Sequence, residues 1–273
     1  MKRAAPSCPG GTGARFREPV VALERRLHRC PSVITLGVKP NLEDYAPGDL
    51  ELIRQAPKVY YPSSFYADLF AAMGKPTFPS AHNYRCAQDK ILQTTLFALQ
   101  RIPHPRTRFF FGRQKDKILE HFSFPFVAKT PRGSSLGRGV FLIENAVQLA
   151  DYSRRSHTAY IQQYLPVDRD LRIVVVGGRV LHAYWRLAGA GDFRTNVARG
   201  GRILLDAVPS AALDLARHTA RLCGWNDVGI DICIHHGRPF VLEANMKYGR
   251  EGFRRAGLDY DALMEALIAD DFI

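Results

Sequence analysis

The spacing of apolar residues along the chain alternates between the period of a strand and the period of a helix. Alternating or unbroken apolar runs predict strands. They lie at 33–38, 59–61, 77–78, 106–111, 124–130, 140–143, 160–165, 171–176, 179–185, 228–234 and 240–245. Apolar residues three and four positions apart predict helices. They lie at 18–27, 49–55, 63–73, 89–100, 114–122, 146–154 and 211–222, with a last helix from Tyr260. This mixture predicts an α/β (α+β) fold.

The predicted elements group into an N-terminal segment and three units. Residues 1–17 read as a loose tail and, with the first helix, form a segment over 1–30. A small α/β unit covers 31–88, which is short for an independent domain, so we expect it to pack against the next unit. The two larger units cover 89–165 and 166–273. The dipeptide Gly177-Gly178 suits the tight hairpin turn that opens the last one.

Composition and charge narrow the class of protein. The chain has 273 residues, 46% of them hydrophobic, which is enough apolar surface for a core and excludes a disordered or fibrous protein. There are 38 Lys and Arg against 26 Asp and Glu, a net charge of +12, and the first 30 residues contribute 7 − 2 = +5 of it. This charge suits an anionic ligand. Nucleic acid is the minority interpretation, because no helix-turn-helix, zinc-finger or RNP signature is present.

Three further features predict a cytoplasmic protein. No run approaches the eighteen apolar residues of a membrane span, and residues 1–13 are basic and rich in Gly and Pro, without the apolar segment of a secretory signal. The cysteines are odd in number and lack a metal-binding spacing, so we expect reduced thiols. They are Cys8, Cys30, Cys86, Cys223 and Cys233.

The last predicted hairpin carries an acidic face. Alternation along 228–234 and 240–245 separates an apolar face from one with Asp231 and Glu243, and a turn centred on Gly237 places these two carboxylates opposite each other. Opposed like charges are destabilising, and a cation between them removes that cost. Together with Asn245 they offer the oxygen donors that Mg²⁺ prefers. A solvated polar face is the alternative.

A glycine loop over 131–139 separates two predicted strands. It lacks the ending of a P-loop and does not lead into a helix, but its backbone N–H groups, Ser134 and Ser135 can line a polyphosphate. An exposed hairpin loop is the alternative. Lys129 ends the apolar strand before the loop, where a buried cation needs an anion. Lys90, early in a helix, reads as a surface residue by itself.

Two more polar segments follow. Asp170 and Arg172 alternate with apolar neighbours, so both leave the core on one face of their strand. Regular pairing in this hairpin puts Arg186 on the opposite face from Arg172, and only a bulge or a different turn register brings them together. The segment 193–201 contains Asn196 and is rich in anion-binding donors. An ordinary surface loop is the alternative there.

In their order along the chain, these segments resemble the ATP-grasp superfamily and, within it, the RimK-like amino-acid ligases related to glutathione synthetase. The similarity covers about residues 84–255. The matching segments are Asp89-Lys90, Lys129 with the loop 133–139, Gln162-Gln163-Tyr164-Leu165, Asp170-Leu171-Arg172, Arg186, 193–201, and Asp231 with Glu243-Ala244-Asn245. The resemblance implies an ATP-grasp fold in which 31–88 is a short pre-grasp unit, 89–165 the N-terminal lobe and 166–273 the C-terminal lobe.

The resemblance also implies a role for each matching residue. The nucleotide-binding set comprises Lys90 and Lys129 at the ATP phosphates, Gly133, Ser134, Ser135, Gly137 and Gly139 in the lid above them, and Gln163, Tyr164 and Leu165 at the adenine hinge. The set at the transferred phosphate comprises Arg172 and Arg186, their orienting neighbour Asp170, and Asn196. The magnesium ligands are Asp231, Glu243 and Asn245, for a pair of Mg²⁺ ions with Mn²⁺ as an alternative.

The activity implied is ATP-dependent ligation of a carboxylate to an amine through an acyl-phosphate. Its partners are ATP, a carboxylate substrate and an amine acceptor, either a small molecule or the end of a peptide or protein. Two alternatives are a phosphotransferase acting on a small molecule and a regulatory module that binds ATP without turnover. The chain departs from the family pattern at Gln163, where Glu is frequent, and at Met246-Lys247-Tyr248, where the acceptor docks. We therefore expect this second segment to help select the acceptor.

Overall fold

A computed structural model describes residues 19–133, 139–189 and 201–273, which form three β-sheets with helices packed on them. The first sheet is parallel, with the order β2-β1-β3-β4. Its strands are β1 Val20–Ala22, β2 Val33–Thr35, β3 Val59–Tyr60 and β4 Thr77–Phe78. Its helices are α1 Pro47–Gln55, α2 Ser63–Ala72 and α3 Ala81–Cys86, with single 3-10 turns at Arg25–Leu27 and Leu42–Asp44.

Strand β1 corrects the first predicted element, because the sequence pattern predicts a helix over these residues. Val21 and Leu23 pack on one side of the sheet, whereas Ala22 packs on the other. A short strand buried on both faces has an unbroken apolar run, which periodicity does not distinguish from one turn of a helix. The first sheet, to which the predicted unit 31–88 belongs, therefore begins before residue 31, at Val20.

The second sheet is antiparallel, with the order β5-β8-β6-β7. Its strands are β5 Thr107–Phe111, β6 Phe126–Lys129, β7 Val140–Ile143 and β8 Thr158–Gln163. Helix α4 Lys90–Leu99 precedes it, a 3-10 helix Gly112–Lys117 runs into α5 Ile118–His121, and α6 Ala146–Arg155 follows β7. The last two helices cover one face, where Phe110, Phe126 and Ile161 are buried. The other face carries Lys129 and Tyr160.

The third sheet is antiparallel, with the order β11-β10-β9-β12-β13. Its strands are β9 Arg169–Val176, β10 Arg179–Leu187, β11 Arg202–Leu204, β12 Asp227–His235 and β13 Arg238–Asn245. Helix α7 Ser210–Leu222 lies between β11 and β12, and α8 Glu251–Arg255 and α9 Tyr260–Ala269 end the chain. The sequence pattern does not predict α3, β11 or α8, which are all short.

The two faces of the third sheet have different neighbours. On one face, Leu171, Ile173 and Val175 of β9 pack in a core with α7 and with Phe97 of α4. On the other face, Val174 and Val176 pack against α9 and the pre-grasp sheet. The remaining part of that second face, around Asp170 and Arg172 of the same strand, carries charged groups instead of a hydrophobic core. One end of the sheet face is therefore left for polar chemistry.

The described helices are short. The longest, α7, has 13 residues, and none of the helices in the described ranges has the length and apolar character needed to cross a membrane. The cysteines within those ranges, Cys30, Cys86, Cys223 and Cys233, are buried free thiols.

Candidate active site

Four charged side chains meet on one face of the third sheet. Arg186 binds Asp170 through two hydrogen bonds, Nε to Oδ1 at 2.8 Å and Nη2 to Oδ2 at 2.7 Å. Arg172 binds Asp231 with Nε on Oδ1 and with Nη2 on Oδ2 at 3.0 Å, and Arg186 Nη2 reaches the same Oδ2 at 3.0 Å. All four side chains are buried. The predicted phosphate-binding arginines and their orienting aspartate therefore form one continuous network.

A bulge in β10 brings the two arginines to the same face. The pairing of β9 with β10 shifts between Val180 and His182, so that Arg186 lies opposite Asp170 instead of following the regular register. Regular pairing would have turned Arg186 to the other face. The bulge that the sequence left open is therefore present, and it completes the network.

A second bulge sets the pairing of the predicted metal ligands. Asp231 lies opposite Glu243, as predicted, but the turn is His236-Gly237 and the register shifts between Asp231 and Ile232. The extra residue in β13 also turns Val241 into the core, which corrects its predicted place on the acidic face. The alternation predicted for this strand is thus wrong, although the pairing of the two carboxylates is right.

The structure also shows what compensates the acidic pair. Burial alone would raise the pKa of Asp231, but Arg172 and Arg186 hold it below its ordinary value. Asn245 Nδ2 donates to Asp231 Oδ2 at 3.0 Å, and Lys90 Nζ lies 3.7 Å from Glu243 Oε1. Protein cations therefore already relieve the repulsion that the sequence assigned to a metal.

The three oxygen-bearing side chains differ in how available they are to a hard divalent cation. Glu243 and Asn245 are partly exposed, whereas both carboxylate oxygens of Asp231 already accept hydrogen bonds. No group of three or more His, Cys, Asp and Glu side chains that could hold a metal occurs within the described ranges. A two-carboxylate site completed by an amide and by ligand phosphates suits Mg²⁺, which usually takes only one or two carboxylates. The three residues are therefore compatible with such an ion.

Lys90 is buried rather than on the surface, which corrects its interpretation from sequence alone. Only 4% of it is exposed, and its backbone N–H donates to Pro131 O at 2.9 Å. Asp89 caps α4 by accepting from Leu92 N at 2.9 Å and also binds Arg132 Nε at 2.7 Å. These contacts fix the start of α4 against the base of the glycine loop, with the Lys90 ammonium toward Glu243.

Lys129 lies beside the same carboxylates. Its Nζ donates to Leu242 O at 3.4 Å and lies 5.6 Å from the centre of the Tyr160 ring. Burial lowers the pKa of Lys129, and the charges of Glu243 and Asp231 oppose that shift in part. The expected pattern of a buried cation at a strand end, next to acidic groups, is present.

The remaining nucleotide-binding residues are only partly described. Thr130 N donates to Gly139 O at 2.7 Å, which closes the base of the glycine loop, and Gly133 adopts a φ of +67°. Gln163 is exposed at the end of β8, where its N–H donates to Arg106 O at 2.8 Å, and Leu165 is buried. The connection from β8 to β9 follows these residues. Tyr164 lines a cavity with Trp185 on the opposite face of the third sheet from Arg172. Ser134, Ser135, Gly137 and Asn196 lie outside the described residues.

Gln93 is a positioning residue that the sequence pattern missed. Its amide donates to Ala244 O at 2.9 Å and accepts from Ala244 N at 3.0 Å, which ties α4 to β13 between Glu243 and Asn245. Lys90, Gln93, Thr94 and Phe97 are all buried at helical spacing on α4. This helical spacing predicts a buried face on α4, and that face includes both Gln93 and Lys90.

The residues that follow β13, 246–248, lie in two environments. Met246 packs against the core on the α7 side, and Tyr248 is buried with its hydroxyl on Asp227 at 2.5 Å. Lys247 remains exposed and pairs with Glu24 of the pre-grasp unit at 3.6 Å. Asn83 Nδ2 of α3 donates to Met246 Sδ at 3.6 Å, so all three residues contact the first sheet or its helices. Their part in acceptor selection stays a prediction.

Comparison with known proteins identifies the family. The RimK-like ATP-grasp domain matches residues 87–268. A protein of Sodalis glossinidius named probable alpha-L-glutamate ligase is 29% identical over 280 aligned positions, which cover 94% of this chain and 93% of that protein. One of the same name from Parasynechococcus marenigrum is 32% identical over 204 positions, 71% of this chain but only 44% of that protein, so the chain spans less than half its length.

The fold has solved relatives. A RimK domain ATP-grasp protein of Sphaerobacter thermophilus superposes with a TM-score of 0.65 at 17% identity, over 92% of this chain and 99% of that one. The ATP-grasp fold class predicted from the sequence is therefore confirmed. The names of the relatives support the predicted class of enzyme, an ATP-dependent carboxylate–amine ligase. Membership implies ATP and a divalent metal as cofactors, and a carboxylate and an amine as substrates. The chain belongs to the RimK-like ATP-grasp family.

Proposed function

We propose that this chain joins a carboxylate to an amine in two steps at the charged face of the third sheet. A carboxylate oxygen of the donor attacks the γ-phosphorus of ATP, and ADP leaves with the electrons of the broken P–O bond. The neutral amine then attacks the acyl carbon, orthophosphate leaves, and the amine loses a proton. The buried Arg172–Asp231–Arg186–Asp170 network supports this most directly, since it holds two guanidinium groups beside Glu243 and two lysines.

The two arginines stabilise charge on the transferred phosphoryl group. Their Nε and Nη2 atoms are engaged by Asp231 and Asp170, which fixes both guanidinium planes. We assign the Nη1 edges to phosphate oxygens. Because the donors are held before the substrate binds, they stabilise the transition state without reorganising. A guanidinium suits this task because it stays protonated and presents planar, paired donors.

The lysines and the glycine loop hold the nucleotide. We assign Lys90 and Lys129 to the phosphates, Gly133, Ser134, Ser135, Gly137 and Gly139 to the lid above them, and Gln163, Tyr164 and Leu165 to adenine. A phosphate beside Lys129 would offset the burial that now lowers the pKa of this lysine. Asn196 is assigned to the same phosphate region.

Asp231, Glu243 and Asn245 are the proposed ligands of a pair of Mg²⁺ ions, with Mn²⁺ as a substitute. Bound there, the ions supply charge neutralisation and orientation for the phosphate oxygens. Glu243 is more exposed than Asp231, and its partner Lys90 lies close enough to share the same phosphates. The cations of this chain hold the acidic pair together before any ion binds.

We propose L-glutamate as the amine acceptor, on the names of the relatives, and a small molecule or a peptide end as the carboxylate donor. We propose the cytoplasm as the location, because the reaction consumes ATP. A screen of donor carboxylates with L-glutamate, following ADP release and the mass of the product, tests the assignment. An amide product with release of both ADP and orthophosphate is expected. A phosphorylated donor that never becomes an amide would contradict ligation.

Substitution of Glu243 by Gln tests the metal and phosphate assignment. The change keeps the shape of the side chain but removes its charge, so we expect Mg²⁺-dependent ADP release to fall at least about a hundredfold. Because Glu243 also pairs with Lys90, the variant should be no more stable than the wild type without nucleotide. Thermal midpoints with and without Mg²⁺-ATP, measured beside turnover, check both points. Normal ADP release in Glu243→Gln would remove this residue from the site.

A further inference from the structure

A second polar cluster lies where the pre-grasp sheet meets β12. In the order β2-β1-β3-β4, the chain leaves β1 toward one edge and returns to β3 on the other side, so the carboxyl ends of β1 and β3 flank a topological switch point. Open parallel sheets bind ligands in the crevice at such a point. Here the two strand ends lead to Arg26 and Ser63, respectively.

Three buried polar atoms at this crevice have no hydrogen-bond partner among the residues that the structure describes. They are Arg26 Nη2, Ser63 Oγ and Tyr84 Oη. Ser63 and Tyr84 lie on α2 and α3, which pack against each other. Burial and the charge of Glu24 raise the pKa of Tyr84, and Arg26, which is near enough to act on it, lowers it in part. Native proteins leave few buried polar groups unpaired, and each one that remains needs an explanation such as a ligand or water.

The backbone at the end of β3 shows a related feature. Tyr61 and Ser63 have φ values of 43° and 74°, in the left-handed region that non-glycine residues rarely occupy. Such residues cluster at binding sites, where the surrounding structure imposes the conformation. Ser63 is also the first residue of α2, which no side chain caps. The free N–H groups of that helix start add donors to the crevice.

The acidic groups nearby already have partners. Asp227 accepts from Tyr61 Oη at 2.8 Å and from Tyr248 Oη at 2.5 Å, with Arg26 Nε at 3.9 Å. Glu24 is paired with Lys247. The unpartnered groups of the crevice are therefore donors, since a guanidinium has only donors and each hydroxyl can donate. A carboxylate matches such a set, because it accepts several charge-assisted hydrogen bonds at once.

The crevice and the reaction centre share one face of β12. Asp227 and Asp231 are four residues apart on this face, a separation of roughly 13 Å between their Cα atoms. Gly229 lies between them, and the side chains of Arg172 and Tyr248 both pass over it, within 2.9 Å of where a Cβ would be. A substrate group held at Arg26 is thus several bonds away from a group that reacts near Arg172.

We propose that Arg26, Ser63 and Tyr84 bind a carboxylate of the amine acceptor that is remote from its reacting amine. The acceptor is then an acidic amino acid held by its side-chain carboxylate, or a short peptide held by an acidic end. This inference rests on the proposed ligase function and adds to it the residues that hold the side-chain carboxylate of the acceptor. Tyr248 and Lys247 form the adjoining wall, between the crevice and Asn245.

Two conservative variants test the site. Tyr84→Phe and Ser63→Ala each remove a buried hydroxyl to which no other side chain of the described residues is hydrogen-bonded, so neither should destabilise the fold. L-glutamate and L-glutamine are the probes, because they differ only in the side-chain carboxylate. We expect each variant to raise KM for L-glutamate about tenfold, a loss typical of a hydrogen bond to a charged group. KM for ATP should not change, and KM for L-glutamine should rise less than KM for L-glutamate, because its uncharged side chain forms weaker hydrogen bonds with the same donors.

Thr219→Val is the matched control, since it removes a buried unpartnered hydroxyl elsewhere, on α7. It should leave both acceptors unaffected. An unchanged KM for L-glutamate in Tyr84→Phe and Ser63→Ala, or an equal change with both probes, would overturn the proposal. So would ligation that uses only non-acidic amines.

Calorimetry separates this inference from the ligase assignment. L-glutamate is titrated into the full chain with a non-hydrolysable ATP analogue, which needs no turnover. If no amine yields a product, the proposed function fails, yet binding of L-glutamate that weakens in Tyr84→Phe still supports the crevice. No binding to the wild type, or equal binding to the variant, overturns it.

Discussion

Gly229 lies on β12 between two buried carboxylates, Asp227 and Asp231. A Cβ at Gly229 would lie 2.9 Å from Arg172 Cδ and 2.9 Å from Tyr248 Cβ, closer than real contacts allow. Since overpacking forces neighbours apart, we expect Gly229→Ala to cost roughly 1–3 kcal/mol of the free energy of unfolding. Turnover should fall further, because Arg172 is displaced from Asp231. Chemical denaturation and ADP release measure the two effects.

Gly48→Ala is the control for this substitution. Gly48 lies in α1, has no atom within 4 Å of the added Cβ and does not require a positive φ. Alanine should therefore stabilise the helix by about 0.5–1 kcal/mol and leave turnover unchanged. Wild-type stability and turnover in Gly229→Ala would show that the close packing over β12 is not needed.

The pH dependence of the free energy of unfolding tests the buried charge of Lys129. Burial lowers its pKa below 10.5, so its charge destabilises the fold at neutral pH, and this cost is lost as pH rises from the lowered pKa to 10.5. Lys129→Met removes the charge and keeps the chain length. We expect the variant to be at least as stable as the wild type at pH 7, with the difference shrinking by pH 10.

The same variant should bind ATP less well. Loss of a charged contact to phosphate weakens affinity about tenfold or more. Denaturation at the two pH values and calorimetry with a non-hydrolysable ATP analogue check both parts. Unchanged nucleotide affinity would remove Lys129 from the site.

Residue types predicted the chemistry of the site better than they predicted burial. Asp170, Arg172 and Lys129 could be placed from alternation, because a charge next to apolar strand residues must turn away from the core. Lys90 could not, since a lysine near a helix start is usually solvated, and its burial depends on β13 packing against α4. Contacts between distant segments decide such cases.

At the scale of elements, the two bulges determine which residues meet. Alternation predicts the faces of a strand only while the register is regular, and one extra residue reverses it. In β10 the bulge brings Arg186 beside Arg172. In β13 the bulge places Glu243 opposite Asp231, where a regular register would place Leu242. No residue in either strand marks the bulge in advance, which is why the site geometry needed the structure.

The N-terminal cap of α4 supports the site from outside. Asp89 accepts from Leu92 N and binds Arg132, so Asp89→Ala should cost about 1 kcal/mol of the free energy of unfolding and weaken ATP binding by shifting Lys90. Burial raises the pKa of Asp89, but Arg132 and the helix N–H groups bring it below 3.8 overall. The charge-dependent part of this stabilisation is present above pH 3.8 and is lost as pH falls through the lowered pKa.

Asn145→Ala gives the matched comparison. Asn145 caps α6 by the same type of bond, to Gln148 N at 3.0 Å, but carries no charge and lies away from Lys90. It should lose similar stability, independent of pH, with ATP affinity unchanged. Equal ATP affinity in Asp89→Ala and Asn145→Ala, measured by calorimetry, would contradict a special role for the α4 cap.

At the scale of the whole molecule, one buried network joins the pre-grasp unit to the C-terminal lobe. Tyr61, Tyr248 and Arg26 surround the carboxylate of Asp227, and Asn83 Nδ2 donates to its carbonyl at 2.7 Å. These residues come from segments far apart along the chain, and each type is common at surfaces. The order of family motifs could predict the fold, but it gave no sign of this junction.

The contribution of this junction to the free energy of unfolding should depend on pH, in a direction set by the pKa of Asp227. Burial raises its pKa above 3.8, although Arg26 and the two tyrosines oppose the shift. A raised pKa means that the folded protein holds the proton more tightly, so this contribution to stability is present below pH 3.8 and is lost as pH rises through the raised pKa. Tyr61→Phe and Tyr248→Phe remove donors to the charged form and should raise that pKa further.

We therefore expect each tyrosine variant to lose about 2 kcal/mol at pH 7, the worth of a hydrogen bond to a charged group, and less near pH 4. The double variant should lose less than the sum of the two, because both donors act on one carboxylate that can take up a proton once they are gone. Tyr66→Phe is the control: its hydroxyl donates to a neutral carbonyl, Lys39 O, at 2.7 Å, so its loss should not depend on pH. Denaturation of all four variants at pH 7 and near pH 4 measures these losses. Losses from Tyr61→Phe and Tyr248→Phe that are additive and equal at both pH values would mean that Asp227 does not organise the junction.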